Sequence, residues 1–223
     1  MILFSTLERV LGHAVADEAS LLAARDEWAE RAGVVHHDEG LYEERTAAFL
    51  DWLALDRPAG PRGSKGPTPV EQLLAEAAPD KVSAAERAAL STLCASHRSL
   101  FRVLEQWSNA EGHGLVLEDL WGGALFRARD RRLIAGVSRG DLLDARLASD
   151  VESPPDVLLV RIVCVHPRPA EPAIRKIVAA SRASGEAREE LLFRLLRLRV
   201  RCERYRHVSP ARVYEAGEPK TPG

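Results

Sequence analysis

The sequence predicts an α+β fold: a central antiparallel sheet or small β-barrel flanked by N-terminal and C-terminal helices. Three observations carry this prediction. From Ser99 to Pro167 the apolar residues favour the period of two that a pleated strand requires. The same stretch is punctuated by Gly112-His113-Gly114, Gly122-Gly123 and Arg139-Gly140-Asp141, residue pairs and triplets that suit tight turns. On both sides of it the apolar residues recur at helical spacing instead. Strands that follow one another about every ten residues suit a small barrel or a strongly bent sheet.

Taken in order, the N-terminal part is helical and acidic. Leu3, Leu7, Val10 and Leu11 share one helical face over residues 3–12. A second helix is expected from Asp17 to Arg31, closed by Gly33, where the absence of a Cβ permits a left-handed cap. A third, from Gly40 to Leu55, carries Tyr42, Thr46, Phe49, Leu50 and Leu53 on one side, with Glu43, Glu44, Arg45 and Asp51 on the other. The Pro58-Ala59-Gly60-Pro61 run ends it, because proline lacks the donor and restricts the residue before it. Thr68-Pro69-Val70-Glu71 and Ser83-Ala84-Ala85-Glu86 each read as a capping box that opens a helix. These signals divide the chain into an acidic helical region (1–56), a Pro/Gly linker (57–67), a segment of helices, sheet and basic C-terminal helix (68–208) and a disordered tail (209–223).

The strands are expected at Leu100–Trp107, Leu115–Leu120, Ala124–Ala128, Leu133–Val137, Leu142–Leu147 and Val157–Val165. Phe101, Val103 and Trp107 fall in phase on the first, and Leu115, Leu117 and Trp121 on the second, which assigns both tryptophans to the core. Gly122-Gly123 predicts a two-residue hairpin with positive φ at both positions. The last strand is apolar at nearly every position and therefore needs cover on both faces. Four fragments of this stretch resemble a module of uncharacterised bacterial proteins: Leu100-Phe101-x-Val103, Gly114-Leu115-x-Leu117-x-Asp119-Leu120-x-x-Gly123, Phe126-x-Ala128-x-Asp130-Arg131 and Gly140-Asp141-Leu142-Leu143-x-Ala145-Arg146-Leu147. Some proteins with that module also carry a C-terminal cysteine/histidine metal motif. Here Cys202 and His207 stand alone, and the resemblance implies no activity.

Beyond the strands, a helix over Ala170–Ala183 leads to a longer one over Glu186–Arg206. On the longer helix Leu191, Leu195, Leu198, Cys202 and Tyr205 form a stripe that is either internal core or the seam of a homodimer. Arg194, Arg197, Arg201 and Arg204 form a second stripe on the same helix.

Charge and motif inventory narrow the function classes. Residues 1–60 carry 12 acidic and 5 basic side chains, whereas residues 161–206 carry 5 acidic and 12 basic ones. That asymmetry invites docking between the two parts or an acidic partner for the second. Arg outnumbers Lys 27 to 4, the bias of a GC-rich bacterial genome. Cys94, Cys164 and Cys202 are odd in number and lack C-x-x-C spacing, which speaks for a reducing, cytoplasmic setting. The N-terminus lacks the basic lead of a signal peptide, and no apolar run is long enough to span a membrane. Gly63-Ser64-Lys65-Gly66 fails as a phosphate loop, since no Ser or Thr follows Lys65 and no strand precedes it. Cys94 with His97, and His36-His37-Asp38-Glu39, supply too few convergent ligands for a metal, so no metal and no cofactor is expected. Catalysis would require His113, Asp119, Asp141 and His166 to meet at one sheet end.

The reading that remains is a non-catalytic cytoplasmic interaction or regulatory protein that docks an acidic protein on Arg194, Arg197, Arg201 and Arg204. The alternative is a nucleic-acid binder that uses this stripe together with the hairpin arginines Arg127, Arg129, Arg131 and Arg132.

Overall fold

Five helices precede the first strand in the computed structural model, which describes residues 2–37, 39–78, 80–110, 112–129, 136–150 and 153–217. They are α1 (Ile2–Ala14), α2 (Glu18–Ala32), α3 (Tyr42–Leu55), α4 (Pro69–Glu76) and α5 (Ala84–Cys94). The chain divides into two units, Met1–His36 with Tyr42–Ser96, and His37–Leu41 with His97 onward. The boundary thus falls where α5 gives way to the first strand, not at the Pro/Gly segment.

The first unit is a helical layer built on the apolar faces that the sequence spacing marks. Leu3, Leu7 and Val10 of α1 are buried, and α1 packs against α3, α4 and α5. Trp28 of α2 meets Phe49 of α3 edge-on at 5.7 Å and lies 5.4 Å from Trp52. Arg45 and Asp51 depart from the expected polar side of α3, because both are buried. The Arg45 guanidinium donates to Val34 O (3.0 Å), Ala32 O (3.0 Å) and Gly33 O (2.7 Å). Carbonyls that the end of α2 leaves without intrahelical partners are thereby satisfied. Gly33 turns the chain there at φ 84° and ψ 156°, a region that is open to glycine but is not the expected left-handed helical cap.

The 57–67 segment is a folded connection inside this unit rather than a flexible linker. Arg57 is buried and donates to Glu27 (3.0 Å), Pro58 O (3.2 Å) and Gly60 O (2.9 Å), while Ala59 N bonds Pro67 O (3.0 Å). At Thr68 the capping box is complete: its hydroxyl accepts from Glu71 N, and the Glu71 carboxylate accepts from Thr68 N (2.7 Å). Thr68→Ala should therefore cost about 1 kcal/mol, read as a lowered urea midpoint. Ser83 makes only its own half of the motif, accepting from Glu86 N at 3.2 Å, and the Glu86 carboxylate pairs with Arg9 instead. Cys94 ends α5 and His97 opens the next strand, so the two do not share a helical face.

The second unit is organised by β1 (His97–Asn109), β2 (Gly112–Asp119), β3 (Leu125–Arg129), β4 (Leu142–Ser149) and β5 (Val157–His166). The expected Leu133–Val137 strand lies mostly outside the described residues, and Gly136–Val137 are not in a strand. The sheet closes into a barrel in the order β1-β2-β3-β5-β4, with β4 pairing back onto β1. All pairs are antiparallel except β3 with β5, where Ala128 faces Val157. Phe101, Val103, Leu115, Leu117, Leu143, Ala145 and Leu147 fill the interior.

Asp119 to Ala124 forms a longer turn than the predicted two-residue hairpin. Gly123 alone of the glycine pair has positive φ (77°), and Asp119 Oδ1 accepts from Trp121 N (2.9 Å) and Ser99 Oγ (2.7 Å).

Three helices cover the outer side of the barrel. They are α6 (Glu171–Ser184), preceded by a short 3-10 turn, then α7 (Arg188–Arg204) and α8 (Pro210–Glu215). Leu191, Leu195 and Leu198 of α7 are fully buried in a core with Leu100, Leu142, Ile174 and Tyr214. Tyr205 of the heptad stripe is exposed, but the stripe from Leu191 to Cys202 is internal core and does not form a homodimer seam. Its apolar area is already removed from water within the chain. Residues 210–215 are helical with Val213 and Tyr214 buried, which corrects the expectation of a disordered tail from 209. Residues 218–223 lie outside the described residues. No helix among the described residues is long and apolar enough to cross a membrane.

Candidate functional site

The local event that builds the site is a bulge in β1. Val103 faces Leu117, but two residues later Glu105 faces Val116, so one extra residue is inserted between them. A one-residue insertion moves every later side chain to the other face. Phe101 and Val103 point into the barrel, whereas Trp107, paired with Gly114, lies on the outer face with Arg127 and Arg129 of β3. Trp107 is thus half-buried on the surface of the sheet rather than in the core. Trp121 sits in the turn after β2 and packs against the core beneath the C-terminal helices.

The outer face is shaped for the indole. A Cβ at Gly114 would stand 2.0 Å from Ala128 O and 2.8 Å from Trp107 Cζ2. Only glycine leaves room for the ring to lie on the strand. The Arg127 guanidinium carbon sits 4.2 Å from the ring centroid, a cation–π contact. The result is a stack of backbone, indole and guanidinium, with the Arg127 side chain 42% exposed. Beside it Arg129 Nε donates to Asp156 Oδ2 (2.8 Å) and lies 4.0 Å from Asp150 Oδ2, and Arg127 Nη1 is 3.8 Å from Asp156 Oδ2. Arg102 pairs with Glu118 (2.9 Å) on the same face. Arg131 and Arg132 lie outside the described residues.

Three arginines of the α7 stripe are engaged within their own unit. Arg194 donates to Glu186 (2.9 Å) and to the Ser181 hydroxyl, Arg201 to Gly217 O (2.5 Å) and Arg204 to Glu39 (2.5 Å). Arg197 also has interactions of its own. These contacts tie α7 to the ends of its neighbours and to the His37–Leu41 segment.

Of the residues considered for catalysis, Asp141 and His166 line one cavity of about 580 Å³, with Arg168, Arg199, Cys202 and Glu203. His113 and Asp119 are not part of its wall. Asp141 accepts from Arg168 Nε (2.6 Å) and from Ser138 N (2.6 Å). His166 is buried, and burial first, then Arg199 and Arg98, lowers its pKa to about 3. Burial raises the pKa of the phenol of Tyr214, which shares a hydrogen bond with His166 Nδ1 (2.7 Å). Burial also raises the Cys202 thiol, contrary to what a nucleophile needs. Among the described residues no group of three or more His, Cys, Asp or Glu side chains is placed to hold a metal. Asp38 of the His36–Glu39 tetrad lies outside the described residues.

The sequence held one signal for the stack that phase counting passed over. If Phe101, Val103 and Trp107 shared the interior face, Glu105 would share it too, and a carboxylate inside a small apolar barrel is costly. That conflict marks a bulge before Trp107. Nothing comparable pointed to Asp150 and Asp156, whose roles depend on the closing β3–β5 pair. No family model matches the chain, and no curated protein or solved structure is significantly similar to it.

Proposed function

We propose that the barrel binds single-stranded nucleic acid across the outer face of β1, β2 and β3, and that the protein is a non-catalytic, cytoplasmic binding protein. The observation that carries the reading is the stack of Trp107 between Gly114 and Arg127. Binders of single strands combine aromatic platforms with basic side chains along the backbone path, and every base has a π-face to stack. A base can lie on the outer plane of the Arg127 guanidinium or take its place on the indole. Charge supports the same reading. Residues 97–223 carry 22 basic and 17 acidic side chains, whereas residues 1–96 carry 9 and 16. The slight acidity of the whole chain therefore does not belong to the barrel segment. The cytoplasmic setting rests on three free cysteines. Docking of an acidic protein on Arg194, Arg197, Arg201 and Arg204 has less support, since Arg194, Arg201 and Arg204 already bond partners of their own unit.

The test is fluorescence anisotropy of the full chain with labelled oligothymidylate and oligouridylate at about 50 mM and about 200 mM salt. Trp107→Ala should weaken binding about tenfold, the loss of one stacked base, with the salt dependence unchanged. Arg127→Ala should weaken binding and flatten the slope of log affinity against log salt by about 0.7, one phosphate contact on a single strand. Absence of binding to both oligonucleotides at about 50 mM salt would sink the proposal.

A further inference from the structure

Asp150 and Asp156 face the arginines of the proposed binding surface, and their placement has a functional consequence. Both carboxylates are buried, at 3% and 7% exposure, at the junction that leads from β4 into β5. Buried carboxylates this close to each other repel and need cations between them. Arg129 supplies one, bonded to Asp156 and 4.0 Å from Asp150, and Arg127 approaches Asp156 from the indole side. The backbone holds the carboxylates in place: Asp150 N bonds Asp156 O (3.1 Å) and Asp156 N bonds Ser153 O (2.9 Å). A carboxylate offers a guanidinium the same planar, anionic oxygen pair that a phosphate does.

We infer that Asp150 and Asp156 act as a built-in competitor, holding Arg129 in the place of a strand phosphate and drawing on the charge of Arg127 from 3.8 Å, and so limiting the affinity of the face for nucleic acid. The inference rests on the single-strand reading above. A phosphate that takes the Nε–H of Arg129 must break its bond to Asp156, and at any donor of that guanidinium the carboxylate stands near the phosphate as a like charge. Binding is thereby held weak and reversible at a surface that would otherwise retain any polyanion. The device also sharpens the contribution of Trp107, because stacking is insensitive to the competing charge.

The experiment measures affinity and salt slope for labelled oligothymidylate with the wild-type chain, Asp156→Asn and Asp150→Asn, each confirmed as folded by its thermal transition. Glu171→Gln serves as a control, since it removes one acidic charge from a partly exposed pair on α6. Asp156→Asn should bind about tenfold more tightly at about 50 mM salt, with the slope steepened by about 0.7 as Arg129 is released. Glu171→Gln should match the wild type. If the wild type binds while Asp156→Asn, or Asp150→Asn should the former not fold, binds equally or more weakly, the competitor role is overturned and the binding face stands. An equal gain in Glu171→Gln overturns it as well, because net charge alone would then explain the effect. If neither the wild type nor the variants bind, the single-strand reading itself fails.

Discussion

Asp144→Asn should destabilise the protein by about 3–5 kcal/mol, a large part of the roughly 5–15 kcal/mol that holds a domain folded. Arg98 on β1 and Asp144 on β4 are bonded through both oxygens, Nε to Oδ1 at 2.6 Å and Nη2 to Oδ2 at 2.5 Å. Their side chains are 8% and 0% exposed. Leu100 pairs with Asp144 across the strands and lies in the core beneath α6, α7 and α8, so the ion pair sits on the covered face of the barrel. Such a pair adds little net stability, because desolvation of both charges offsets their attraction. Removing one partner is different: the guanidinium remains buried without its counter-charge. The amide of Asn keeps the shape and one acceptor, so the measured loss isolates the charge. Urea unfolding checks the effect, and the double variant Arg98→Met, Asp144→Leu should recover most of it. A loss below about 1 kcal/mol for Asp144→Asn would mean that Arg98 finds water or another partner, as an exposed pair would allow.

The same face explains which parts of the fold were legible in the sequence. Apolar patterning between turn signals located four strands within a few residues of their ends and a continuous apolar run located the fifth, because the interior face of a small barrel must be apolar and its register is fixed by that need. The helices of the first unit were legible for the same reason. Closure of the sheet was not, since it depends on β3 pairing with β5 across an interval that no local pattern reports. Buried charge was the other blind spot. Arg45, expected on the polar side of α3, is buried against carbonyls at the end of α2, Arg57 of the expected linker is buried against Glu27, and nothing in the sequence marked Arg98 and Asp144 as a buried pair. Composition assigns charge to solvent, and only three-dimensional pairing overrides that assignment. The candidate site failed and succeeded on these same grounds. Arg127 and Arg129 were visible as a basic cluster, while Trp107 was assigned to the wrong face by a single inserted residue, and the opposing aspartates had no signal of their own. The α7 arginines show the converse, a conspicuous stripe whose regularity reflects helical period and whose contacts are largely structural.

Acid should weaken the second unit through His166, and the size of the effect follows from its burial. In the unfolded chain this imidazole takes up a proton near its ordinary value of 6.5, whereas in the fold its pKa is lowered to about 3, by burial first and by Arg199 and Arg98 after it. The folded state therefore binds fewer protons than the unfolded state between these two values. The corresponding stability is complete above pH 6.5 and is lost progressively as the pH falls toward 3. At about 1.4 kcal/mol per pH unit, the loss is about 2 kcal/mol at pH 5. Protonation would also place a positive ring beside two guanidinium groups, at the nitrogen pair that includes the Tyr214 contact on α8. Helix α8 is short, with only Val213 and Tyr214 buried along its length, so this hydrogen bond is a main tie between it and β5. The measurement is urea stability at pH 8 and pH 5 for the wild type and His166→Gln. The variant loses stability at pH 8, because its side chain fills the site less well, yet its further drop on going to pH 5 should be smaller than that of the wild type by about 2 kcal/mol. Equal drops in the two proteins would show that carboxylates and the other histidines account for the acid sensitivity and that His166 takes up its proton in the folded state.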